Sequence, residues 1–153
     1  MPDVFISYAT TDGGIADFVH KHLSTDGLNV FMAGISLSPG VPWSQEIRSK
    51  LDISPWVIFL ASEAACCSPY VQQELGMALH GNKHVIPIVW DMEPSRLPGW
   101  IKELQAVDLR RATLDQIREK FTEIANVIKQ DKTNGWLIAG ALLGALIYLA
   151  SRK

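Results

Sequence analysis

"PWVIFLAS" (Pro55–Ser62) is the stretch whose reading decides the fold. From Trp56 to Leu60 no position carries a charged or hydroxyl side chain, so neither face of a strand built from it can lie against water. A strand that is apolar on both faces belongs in the middle of a parallel sheet with helices covering both sides. Upstream, "DVFISY" (Asp3–Tyr8) reads as a short strand that runs into the turn-rich "ATTDGG". "IADFVHKHL" (Ile15–Leu23) sets Ile15, Phe18, Val19 and Leu23 at helical spacing, and "LNVFM" (Leu28–Met32) reads as a second strand. A long loop is expected over "AGISLSPG" (Ala33–Gly40), then a helix over Trp43–Leu51 with Trp43, Ile47 and Leu51 on one face.

Downstream the alternation continues. "SPYVQQELGMAL" (Ser68–Leu79) opens with a capping serine and Pro69 at the first helical position. Val71, Leu75, Ala78 and Leu79 then form one apolar stripe. "HVIPIVW" (His84–Trp90) reads as a fourth strand, "LQAVDL" (Leu104–Leu109) as a short edge strand, and Leu114–Lys129 as an amphipathic helix. Strands alternating with helices across short connections give right-handed βαβ crossovers. The expected fold is therefore α/β: a flavodoxin-like, doubly wound, five-stranded parallel sheet. Ligands on such sheets bind outside the carboxyl ends of the strands, near the point where the strand order reverses. The loops 8–14, 33–40 and 62–68 should meet at that edge. Glu74 lies beside the apolar stripe of its helix, one turn after Tyr70, and a pocket there would explain a carboxylate so close to the buried side.

The totals narrow the function. The 153 residues suit one domain with an appendage, and 48% hydrophobic content is ordinary for a globular chain. A net charge of −2 with scattered Lys and Arg provides no basic stripe, which argues against a nucleic-acid partner. Cys66 and Cys67 are adjacent, so a bridge between them would close almost no loop; two reduced thiols are expected. His20 and His22 point apart on their helix, while His80 and His84 straddle a turn without a Cys or carboxylate cluster, so no metal site is expected. "SYATTDGG" lacks the glycine pattern of a flavin phosphate loop, and "VIFLAS" lacks the terminal aspartate of a phospho-receiver. No leader-like run precedes the first strand, and the fold is expected to begin at once.

The C-terminal run "WLIAGALLGALIYLA" (Trp136–Ala150) has no charge and no polar face. Its length of about 22 Å is short of a hydrocarbon core of about 30 Å, and flanking polar residues extend it to roughly 28 Å. Trp136 and Tyr148 stand at its ends as interfacial aromatics do, and Gly140 with Gly144 forms a GxxxG pair suited to close helix contact. A single transmembrane helix over 134–151 is expected, in contact with membrane lipid, with the globular part on the cytoplasmic side.

Taken together, "DVFISYATTD", "LSPGVPWSQEI" and "SPYVQQELGMAL" resemble, in order and spacing, the first box, the loop after the second strand and the glutamate-bearing segment of a bacterial TIR (Toll/interleukin-1 receptor) domain. The likeness covers Asp3 to about Asp108 and implies a TIR domain over 1–130. Enzymatic members of that family cleave the nicotinamide–ribose bond of NAD+, and some cyclise or transfer the ADP-ribose. The resemblance implies that Glu74 is catalytic and that Tyr70 stacks near the nicotinamide. It further implies that Cys67, Tyr8 and Ala9 line the pocket, and that Gly34, Ile35, Ser36 and Gly40 belong to the loop over the nucleotide. NAD+ would be the substrate, with no cofactor, in a protein that self-associates through the TIR domain and the GxxxG helix. Antiviral (anti-phage) signalling is the setting such proteins imply. "MAGISLSPG" is uncharged where the family's loop usually carries charge. That feature favours a second reading, a non-catalytic module that recruits other TIR domains to the membrane; a virulence factor acting on host TIR signalling is a third.

Overall fold

A computed structural model describes residues 1–35, 44–67, 72, 75–76, 83–97 and 99–134, with backbone alone at 35, 100, 103 and 134. Five parallel strands, β1 (Val4–Ala9), β2 (Val30–Ile35), β3 (Trp56–Leu60), β4 (His84–Val89) and β5 (Val107–Asp108), form one sheet in the order β2-β1-β3-β4-β5. Among the described residues the helices are α1 (Gly13–Thr25), α2 (Gln45–Ile53), the single turn α3 (Glu63–Cys66) and α4 (Leu114–Asn134). Gln72, Leu75 and Gly76 are also helical.

β3 is buried at all five positions, as its composition requires. Its two faces feed two cores. Trp56, Ile58 and Leu60 join Val4 and Ile6 of β1 under Val19 and Leu23 of α1 and Phe121, Ile124 and Ile128 of α4. Val57 and Phe59 join Phe5 and Ala9 of β1 under Leu51 of α2, Ala65 of α3 and Leu75. Burying a large aliphatic or aromatic side chain contributes about 1.5–3 kcal/mol, so these two layers supply most of the drive to fold.

The structure moves several expected boundaries. β2 runs to Ile35, so Ala33, Gly34 and Ile35 are strand rather than loop; parallel pairing of Ser7, Tyr8 and Ala9 with these three residues extends the ladder. Ala33 is 4% exposed, and its burial outweighs the weak strand preference of Ala and Gly. α2 starts at Gln45 rather than Trp43, because the Ser44 hydroxyl accepts the Ile47 N–H at 3.2 Å and caps the helix. The segment between β3 and Ser68, expected as a loop, contains α3. β5 is two residues long, and Gly99–Glu103 before it is a 3-10 turn. α4 continues through Asn134, five residues past the expected Lys129.

At the amino ends of the strands, the end of α4 is fastened to the sheet. Trp56 Nε1 donates to Asp131 Oδ2 at 2.7 Å, and the His84 ring stacks on Trp56 with centroids 4.5 Å apart. Lys132 pairs with Asp3 at 3.3 Å, and Asp3 Oδ2 accepts the Asn29 N–H at 2.9 Å. Among the described residues no helix is long and apolar enough to cross a membrane. The Trp136–Ala150 run lies outside them.

Candidate functional site

In a sheet ordered β2-β1-β3-β4-β5, the crevice falls between the carboxyl ends of β1 and β3, where the chain departs to opposite faces. From β1 it enters the 3-10 turn Thr10–Asp12 and then α1; from β3 it enters α3. Ser62 caps α3, its Oγ accepting the Ala65 N–H at 3.1 Å while donating to Asp12 Oδ2 at 2.5 Å. A hydroxyl-to-carboxylate bond of that length is charge-assisted, and Ser62 is 1% exposed, so water competes little for it. Asp91, just beyond β4, accepts the free Glu63 N–H at 3.0 Å. Two carboxylates thus converge on the start of α3, each with a partner that fixes its direction.

Tyr8 and Gly34 face each other across the β1–β2 ladder. A Cβ added at Gly34 would stand 3.2 Å from both Tyr8 Oη and Thr10 Cγ2, tighter than ordinary contact. Glycine here lets the Tyr8 side chain lie close over β2. Ala9, paired with Ile35, is 1% exposed and belongs to the core layer that contains Leu75. Tyr8 packs instead against the layer under α1 and α4, so these two neighbours serve opposite faces of the sheet.

Cys66 and Cys67 close α3 and differ sharply. Burial, aided by the nearby Cys67 and Asp91, pushes the Cys66 thiol up to about 12. It stays protonated and packs against the α2–α3 layer. Cys67, at the C-cap of α3, is exposed. Among the described residues no group of His, Cys, Asp or Glu is arranged to hold a metal ion.

Of the residues singled out in the sequence, the structure brings Tyr8, Ala9, Gly34 and the Ile35 backbone to one carboxyl-end rim, while Cys67 ends the helix that leaves β3. Glu74, Tyr70, Ser36 and Gly40 lie outside the described residues. Their neighbour Leu75 is fully buried among Ala9, Ala61 and Ala65 in the α2–α3 layer. Asp12, Ser62 and Asp91 were missed. The signal for Ser62 was present, since a serine directly after a strand and before "EAA" is a capping position.

The TIR domain family model matches residues 4–125. The chain is similar to the probable 2' cyclic ADP-D-ribose synthase BdTIR of Brachypodium distachyon, 30% identical over 97 residues, 62% of this chain and 43% of that protein. It is 30% identical over 109 residues to the NAD(+) hydrolase SARM1 of Danio rerio, which covers 63% of this chain and 15% of the relative. It is 32% identical over 126 residues to the NAD(+) hydrolase ApTIR of Actinoplanes sp., 72% of this chain and 16% of that protein. The chain therefore spans less than half the length of each of these relatives. In fold it is similar to the TIR domain of the Toll-related receptor TRR-2 from Hydra magnipapillata, with a TM-score of 0.64 at 19% identity over 84% of this chain and 99% of that one. The TIR domains of the activated Roq1 resistosome superpose with a TM-score of 0.58 at 18% identity, over 88% of this chain and 99% of theirs.

Proposed function

This chain belongs to the TIR domain family, and from that premise we propose that it cleaves the nicotinamide–ribose bond of NAD+, with Glu74 as the catalytic residue. The observation that carries the reading is the likeness, at 30–32% identity, to three relatives that are each named for an NAD+ hydrolase or cyclic ADP-ribose synthase activity.

The chemistry suits the residues assigned to it. As the C1′–N bond breaks, its electron pair passes to the pyridinium nitrogen, which becomes neutral, so the leaving group needs no proton. Positive charge gathers on the ribose. A carboxylate held in a site of low dielectric stabilises that charge more than water would. Tyr70, four residues before Glu74 in the sequence, would offer its ring face to the cationic nicotinamide, an interaction of about 1 kcal/mol. Attack by water with loss of a proton gives ADP-ribose, and attack by an oxygen or nitrogen of the same molecule gives a cyclic isomer. The rim of Tyr8, Gly34 and Ile35 would hold the rest of the nucleotide.

Membrane anchoring through 134–151, self-association through the TIR domain and the Gly140–Gly144 pair, and a place in anti-phage signalling extend the proposal. The apolar C-terminal run with its Gly140–Gly144 pair supports the anchoring and close helix contact, and membership of the TIR family supports self-association and the anti-phage setting. The reading is tested by offering NAD+ to the full chain in liposomes, identifying every nucleotide product by mass, and repeating with a chain that ends at Lys132. ADP-ribose marks a hydrolase and a cyclic isomer a cyclase. Activity lost on trimming shows that the C-terminal run is needed for assembly. A chain that binds other TIR domains yet releases no nicotinamide would instead be the recruiting module.

A further inference from the structure

A cavity of about 340 Å³ lies between α1 and α4, lined by Phe18, Lys21, His22, Thr25, Asp26 and Arg118. Phe18 and Tyr8 both belong to this face of the sheet, whereas Ala9 and Leu75 serve the opposite one. The cavity has three chemically distinct parts. Of its lining rings, Phe18 and His22 lie with centroids 6.2 Å apart, and both pack on the buried Phe121 behind them at 6.3 and 6.1 Å. On one wall Asp26 Oδ2 is shielded from solvent and accepts no hydrogen bond. The ring nitrogen His22 Nε2 stands 3.5 Å from it and lies 3.1 Å from Thr122 Oγ1. The rim carries two exposed cations, Lys21 and Arg118, the second in a loose 3.9 Å pair with Asp115. The Asp26 side chain is 29% exposed, but its shielded Oδ2 has no hydrogen-bond donor, and a ligand that supplies one gains a charge-assisted hydrogen bond.

We propose that this cavity binds an adenine nucleotide. The base packs on Phe18, its exocyclic amino group donates to Asp26 Oδ2, and the phosphate lies between Lys21 and Arg118. The volume is at the small end of ligand sites, about 300–1,000 Å³, which suits a mononucleotide. Stacking on an aromatic ring accepts any base, so the amino group is the part that discriminates. AMP has no nicotinamide bond, so its binding here is read without NAD+ cleavage.

The test uses the full chain carrying Glu74→Gln, titrated with AMP and with inosine monophosphate, in which a carbonyl replaces the amino group. Binding is read by calorimetry and by amide chemical shifts. AMP should bind saturably, with shifts on α1 and α4, and inosine monophosphate should bind roughly tenfold more weakly, the effect of one hydrogen bond to a charged group. Asp26→Ala should abolish the preference between the two nucleotides. Lys21→Ala/Arg118→Ala, which changes exposed side chains only, should weaken both and flatten the salt dependence. No saturable binding of AMP at millimolar concentration, equal affinity for the two nucleotides, or shifts confined to the carboxyl ends of β1 and β3 would each overturn the proposal.

Discussion

Ser62 Oγ donates to Asp12 Oδ2 at 2.5 Å, so one hydrogen bond ties the segments that leave β1 and β3 just where they part to opposite faces of the sheet. The same oxygen caps α3. Ser62→Ala removes both interactions and leaves the Asp12 carboxylate without this partner. A loss of about 1–2 kcal/mol is expected from urea unfolding, with Ser62→Thr recovering most of it.

At the other end of the strands, Trp56 is the donor that satisfies one oxygen of the buried Asp131, whose second oxygen accepts no hydrogen bond. Trp56→Phe should cost about 1–3 kcal/mol through that stranded carboxylate. Adding Asp131→Leu should give back much of the loss, because two apolar partners leave nothing unsatisfied. A double-mutant cycle measured by denaturation checks this, and simple additivity of the two losses would contradict it.

His84, stacked on Trp56, titrates below its ordinary value of 6.5; burial is the main cause, and the Asp131 charge partly opposes it. The folded state therefore binds the His84 proton less readily than the unfolded chain does. Its contribution to stability is complete above the unfolded value and is lost as pH falls through and below it, toward the folded value. Urea midpoints measured from about pH 7.5 down to about pH 5 should show a decline that is shallower in His84→Gln. NMR titration of the His84 ring should place its midpoint below 6.5.

The paired cysteines should separate chemically. The thiolate is the reactive form, and Cys66 is held at about 12 within the α2–α3 layer. Iodoacetamide near pH 8 should modify the exposed Cys67 and leave Cys66 intact until the chain unfolds. Peptide mass mapping reads the result, and equal labelling of both thiols would contradict it.

The order of strands and helices was legible because "PWVIFLAS", apolar on both faces, reads as a covered central strand and because the flanking periods switch between two residues and 3.6. The end of β2 was not, since Gly34 reads locally as a loop residue and becomes strand only through its pairing with Tyr8. α3 escaped for a different reason: at four residues it has too few turns to show a helical period. The site was partly legible. Tyr8, Ala9, Gly34 and Ile35 could be placed at one rim from the fold alone. The Ser62–Asp12 bond joins residues 50 apart in sequence, a contact that no local pattern reports.

The central claim is tested most directly by following nicotinamide release from NAD+ by chromatography, with the wild-type chain and Glu74→Gln compared on the same liposomes. Release by the wild type that falls to background in Glu74→Gln, with both proteins unfolding at the same temperature, is the result expected. Equal release by the two proteins would contradict Glu74 as the catalytic residue, and no release by the wild type at any surface density would contradict NAD+ cleavage.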